Sequence, residues 1–187
     1  MIKFGALRDG EEAPFVYPDI WAREQSSTGR DRLVIAPSRD HVGLLLRLAQ
    51  TWLGDYLLLY VLLVARGGPK PGRYESPRAL TYDELESFLR QFAAFFATDG
   101  RHHLWIGSTE DEGTLVYDQH NVIYAYGPLD AYIDLLTDEG FNESPVHVPT
   151  PHCHYYNAAN DAAERALFAH WDWIPFPLKP VDGGDAD

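Results

Sequence analysis

Apolar positions recur along the chain with two periods, and the changes from one period to the other mark most of the elements. Residues 1–32 sustain neither period. They carry Pro14, Pro18, Gly29 and a polar stretch over residues 24–32, so they read as an irregular N-terminal arm with a short strand at residues 2–6. Leu33, Val34, Ile35 and Ala36 run up to Pro37 and predict a short strand. Ser38 is placed to cap the helix that follows, with Asp40 in its first turn. Val42, Leu45, Leu46, Ala49, Trp52 and Leu53 form its apolar face, and Gly54 ends it. Residues 56–65 (YLLLYVLLVA) have no polar face, and their length and the Gly67-Gly68 terminator predict a central strand covered on both sides. A turn over residues 67–72 and a short returning strand at residues 73–75 come next.

The clearest local pattern is the capping box of Thr81 and Glu84, flanked by Leu80 and Leu85 at the positions of a hydrophobic staple. Leu85, Phe88, Leu89, Phe92 and Phe96 make the buried stripe of that helix, which closes at Asp99-Gly100. From His103 the period becomes two. Residues 103–107, 114–117 and 122–126 predict three short strands in an antiparallel meander, with Leu104 and Ile106 facing away from Trp105. Pro128 opens a further helix whose face is Leu129, Tyr132, Ile133 and Leu136 and whose stop is Gly140. Residues 146–148 suit an edge strand, and residues 158–171 a last helix with Ala163, Ala166, Leu167, His170 and Trp171 on one face. The fold class that results is α+β: an antiparallel, possibly mixed sheet that includes a three-stranded meander and is packed by about four helices. Residues 1–180 form one compact domain in this reading, and residues 181–187 a disordered acidic tail.

Composition narrows the functional classes. Fifteen Lys and Arg against 28 Asp and Glu give a formal charge of -13, which repels nucleic acid and suits a basic protein partner. Cys153 is the one cysteine, so the chain cannot staple itself and a reducing, cytoplasmic setting fits. The N-terminal residues lack a signal-peptide pattern, and the ten-residue apolar run falls short of the about twenty residues a bilayer needs, so no membrane role is expected. Phosphate-loop, dinucleotide-fingerprint, HExxH, paired CxxC and nucleophile-elbow patterns are all missing from the sequence.

Two polar groupings are left. In VHVPTPHCHYYN, His152 and His154 project to the same side of an extended segment and could supply two imidazoles to zinc or a similar divalent metal, while Cys153 points away. A third ligand would come from His147, His170, Asp172 or a distant residue such as Asp118 or His120. Asp118, His120 and Asn121 in the meander turn could pair a base with its orienting carboxylate, and His102 or His103 on the adjacent strand could join them. The bland reading stands beside each: histidines of a Pro-rich loop, and turn residues chosen for their backbone preferences. The expected function is therefore a non-enzymatic protein-interaction module, of the kind represented by small acidic bacterial inhibitor or immunity proteins, with no resident cofactor. The competing expectation is a hydrolase-type enzyme with a histidine-based site, with or without a metal. Self-association through the Leu-rich strand or the aromatic stretch containing Trp171, Trp173 and Phe176 is compatible with both.

Overall fold

The computed structural model describes residues 2–8 and 10–182. In chain order the described residues form β1 (Phe4–Arg8), β2 (Glu11–Pro14), β3 (Ile20–Gln25), β4 (Asp31–Ala36), α1 (His41–Ala49), β5 (Tyr56–Leu62) and β6 (Gly72–Glu75). There follow α2 (Tyr82–Gln91), α3 (Ala93–Thr98), β7 (His102–Ser108), β8 (Thr114–Tyr117), β9 (Ile123–Tyr126) and α4 (Leu129–Asp138). The last elements are β10 (Asn142–Glu143), β11 (His152–His154), α5 (Asp161–Phe168) and β12 (Ile174–Phe176). Nine strands build one sheet in the order β10-β3-β4-β9-β8-β7-β5-β6-β12, and β11-β1-β2 build a second, three-stranded one. Only the β10–β3 pair in the large sheet is parallel, so the sheet is mixed and the fold is α+β.

Strand alternation explains the layering. Leu33, Ile35, Leu104, Ile106, Leu115, Tyr117, Ile123 and Ala125 point to one face, where they meet residues of all five helices in the main core. The intervening Val34, Ala36 and Val122 point to the other face and pack against Phe4 and Tyr17, with Phe15, Tyr124, Val146 and Val148 around them. The three-stranded sheet therefore lies across part of the large sheet's helix-free face. The meander β7-β8-β9 forms as its alternation predicts, with Leu104 opposite Tyr117 and Val116 opposite Tyr124.

The helices follow their caps. Thr81 accepts from the Glu84 N–H while the Glu84 carboxylate accepts from the Thr81 N–H, so the capping box forms. The stripe it opens is buried from Leu85 to Phe96, broken at Phe92 into α2 and α3. Helix α1 departs from expectation at its start. Asp40 stands at the cap in a left-handed conformation without a side-chain cap bond, and the Ser38 hydroxyl donates to Asp19 instead. Nearly every residue of α1 except Arg47 is buried, while Leu53 beyond it is exposed.

Three further expectations are corrected. Residues 1–32 are an ordered set of strands rather than an irregular arm, because β1 finds its partner in β11 and β3 pairs with β4 around a turn at residues 26–30. Residues 146–148 form no strand; Val146 and Val148 turn their side chains into the second core. Residues Pro180–Asp182 form a 3-10 turn in which Asp182 is buried, accepts from the Lys179 N–H at 2.6 Å and faces Arg73 at 3.8 Å. Residues 183–187 of the expected tail lie outside the described residues. No helix among the described residues is long and apolar enough to cross a membrane.

Candidate metal centre

Asp118 leaves the end of β8 and organises the turn that carries His120. Its Oδ1 accepts the backbone N–H groups of His120 and Val122 at 2.8 and 2.9 Å, and its Oδ2 meets His120 Nδ1 at 2.8 Å. Asn121 takes the left-handed conformation this turn requires (φ 61°), and its side chain accepts from the Tyr117 hydroxyl at 2.6 Å. Burial pushes the Asp118 carboxyl up, but the bond and charge of His120, the nearby His103 and the Val122 N–H together hold it below the ordinary carboxylate value. An ionised Asp118 can only accept, so His120 Nδ1 carries a proton, and in the neutral ring Nε2 is the nitrogen left to ligate.

His152 and His154 arrive from the other sheet. Register places His152 opposite Ala6 and His154 opposite Phe4 on β1, two residues apart and hence on one face. The His152 Nδ1 donates to the Pro149 carbonyl at 2.9 Å, so its Nε2 also presents a lone pair. The two Nε2 atoms, of His120 and His152, stand 3.3 Å apart. The third imidazole completes the group: ring centroids are separated by 4.9, 4.9 and 5.0 Å, and one ligating nitrogen from each ring lies within 4.8 Å of the others. His154 Nε2 is buried and has no hydrogen-bond partner among the described residues. Burial, then the proximity of His120 and His152, lowers the His154 pKa to about 4, so this ring is neutral at pH 7.

This geometry is what a tetrahedral ion asks for. Two nitrogens at the zinc distance of about 2.0–2.1 Å subtend a separation of about 3.3–3.4 Å. One edge of the triangle already has that length, and a swing of His154 by roughly 1.5 Å closes the others. Three neutral imidazoles without a carboxylate suit zinc, copper, nickel or cobalt rather than magnesium or calcium. The Asp118–His120 bond supplies the outer-shell contact that fixes a ligating ring's tautomer and orientation. The cluster can therefore hold a divalent metal ion, and the sequence-level metal expectation is met at His152 and His154 with His120 as the third member.

The other sequence candidates fall outside the triangle. His147 is exposed and not part of the cluster, and His170 is exposed beside Phe88 and Trp171. His103 stands close enough to Asp118 to feel its charge. Its Nε2 is buried without a partner among the described residues, and burial lowers its pKa to about 4. His102 is wrapped by Tyr60, Phe95 and Phe96 and belongs to the core. Cys153 faces away from the triangle, with Sγ 3.7 Å from the Gly5 carbonyl.

Several residues around the site gave no signal in the sequence. Phe4 sets its ring edge-on to both His120 and His152, at centroid distances of 5.8 and 6.4 Å. Gly100 donates its N–H to the Tyr155 carbonyl, and a side-chain carbon there would come within 3.0 Å of His154 Cβ and 2.8 Å of the Lys3 carbonyl. Only glycine lets the chain pass β11 this closely. Lys3 is fully buried with its ammonium 3.7 Å above the centre of the Tyr117 ring. A lysine one residue before a strand at the N-terminus reads from sequence as solvent-exposed, and nothing local marks it otherwise.

Comparison of the chain with family models, with curated proteins and with solved structures finds no match in any of the three. The function must therefore be argued from the site itself.

Proposed function

We propose that the chain is a hydrolase-type metalloprotein in which His120, His152 and His154 hold one divalent ion, zinc being the best fit, with water at the fourth position. The observation that carries this reading is the pair of Nε2 lone pairs 3.3 Å apart, each imposed by a hydrogen bond at the opposite ring nitrogen. In the neutral rings both nitrogens are acceptors, and a cation between them turns their repulsion into attraction. Three protein ligands, with no fourth in the cluster among the described residues, is the pattern of catalytic rather than structural zinc. An ion held this way lowers the pKa of its water to about 7 and supplies a hydroxide for attack on a carbonyl or phosphoryl centre. Asp118 keeps His120 in the ligating tautomer and adds negative charge behind the ring. His152 and His154 keep part of their surface in solvent at the end of β11, which gives small substrates a side from which to approach.

The test begins with metal content per chain, on protein purified without a histidine tag or chelator, beside a His152→Ala, His154→Ala double variant. About one equivalent of zinc in the parent and none in the variant is expected. Hydrolysis of p-nitrophenyl acetate and of bis-p-nitrophenyl phosphate is then followed for zinc-loaded and chelated protein. Turnover of either ester that depends on zinc and on the histidines supports the reading. Stoichiometric zinc without turnover of either ester removes the hydrolase and leaves a metal-binding protein. No zinc in either protein removes the centre and returns the acidic interaction module to first place.

A further inference from the structure

The three imidazoles do not belong to one layer. His152 and His154 are carried by β11, at the edge of the three-stranded sheet, whereas His120 is carried by the β8–β9 turn of the nine-stranded sheet. An ion at the triangle therefore bridges two sheets. Apart from this site, the small sheet rests on the large one through a modest apolar core of Phe4, Tyr17, Val34, Ala36 and Val122, through the Lys3 ammonium over the Tyr117 ring and through the backbone bond from Gly100 to Tyr155 just beyond β11. The main core beneath the helices contains many more buried side chains. The two halves of the bridge also differ in rigidity. His120 is tied through Asp118 to the backbone of its own turn by three bonds, while β11 has three residues and pairs with β1 alone. The two Nε2 atoms face each other across this seam at 3.3 Å, and a cation bound by both ties β11 to the β8–β9 turn.

Resting on the metal reading above, we propose that the chain is metal-responsive: the ion at His120, His152 and His154 is the clamp that docks β11-β1-β2 onto the large sheet. In the metal-free chain the small sheet opens as a unit, without unfolding of the helices and the central strands, and the ion closes it. A ligand that binds only the docked form lowers the opening equilibrium in proportion to its concentration over Kd, about 100-fold at 100 times Kd. The small sheet is thus the element whose order reports metal supply, and its docking assembles the same triangle at which chemistry would occur.

Hydrogen exchange of the full-length protein, followed by mass spectrometry in chelator and in zinc at 100 times Kd, tests this. Calorimetry on the same samples measures zinc stoichiometry and Kd. In chelator, amides of β1 and β11 are expected to exchange faster than those of β7. Zinc should slow them by about 100-fold, and His120→Ala, which leaves both β11 histidines in place, should abolish the slowing. Stoichiometric zinc binding with no change in β1 and β11, or metal-free β1 and β11 already as protected as β7, overturns the clamp and leaves the metal centre standing. Absence of zinc binding in the calorimeter overturns both.

Discussion

Replacing Lys3 with methionine should make the protein more stable, and by an amount that depends on pH. Lys3 is fully buried, and its ammonium has no hydrogen-bond acceptor among the described residues, only the face of Tyr117. Burial lowers its pKa from 10.5 to about 7, against the opposing pull of Asp118 and Asp99. A base whose folded pKa is depressed weakens the fold fully below that pKa, and the penalty fades as pH rises towards the unfolded value. The difference between 10.5 and about 7 corresponds to a penalty of ~4 kcal/mol at pH 7 and ~2 kcal/mol at pH 9. Methionine has a similar length and no charge to desolvate, and it forfeits a cation–π contact that stabilises by about 0.5–2 kcal/mol. The expected net gain for Lys3→Met is ~2–4 kcal/mol at pH 7, shrinking by ~2 kcal/mol at pH 9. Urea unfolding of parent and variant at both pH values, in chelator, measures this directly. A variant no more stable than the parent at pH 7, or a stability difference that stays constant between pH 7 and pH 9, would refute the assignment of Lys3 as a desolvated, uncompensated base.

Other parts of the molecule make equally definite demands. Arg101 is fully buried between Asp99 and Glu164, bonding Asp99 through Nε and Nη2 at 2.8 and 2.9 Å. Arg101→Met strands two buried carboxylates and should cost about 3–5 kcal/mol in chemical denaturation. Asp118→Asn removes the charge behind His120 and should weaken zinc binding by about 10–100-fold in a competition titration with a chromogenic chelator. A side-chain carbon at Gly113 would overlap the Trp52 indole, which is itself buried, so Gly113→Ala should lose about 1–3 kcal/mol and shift Trp fluorescence. Thr81→Ala removes the α2 capping box and should lower stability by ~1 kcal/mol in the same denaturation assay.

Elements whose pattern is closed within a few residues were legible in the sequence. Thr81 and Glu84 lie three apart and complete each other's bonds, and the meander's alternation set Leu104 and Ile106 against Trp105. Residues 56–62 of the apolar run form β5 between β6 and β7, but the face that carries Leu57 and Leu59 is only partly covered, where cover on both sides was expected. Where the partner is remote, local pattern failed. A short strand at β1 is legible, but of its two partners only β2 is near in the chain; β11 comes from the far end and leaves no local trace. Ser38 was read as a cap because it stands in the right place, but Asp19 on a distant loop claims its hydroxyl. The site divides in the same way. The spacing of His152 and His154 predicts a shared face on any extended chain, and the Asp118–His120 bond spans two residues; that these pairs meet is a consequence of two sheets stacking, which neither pair encodes.

The two outermost strands of the large sheet carry a consequence for the protein in concentrated solution. A sheet of this width would ordinarily offer long unpaired rims on which other chains could polymerise. Here one rim is the two-residue β10, Asn142 and Glu143, both exposed and one charged. The other is the three-residue β12, whose central Pro175 has no N–H to give. An incoming strand finds only two or three backbone positions on β10 or on β12, too few to hold a register. The strands from β4 to β6 are flanked on both sides, so the remaining open edge is the stretch of β3 over residues 22–25, where Arg23 and Glu24 place charge.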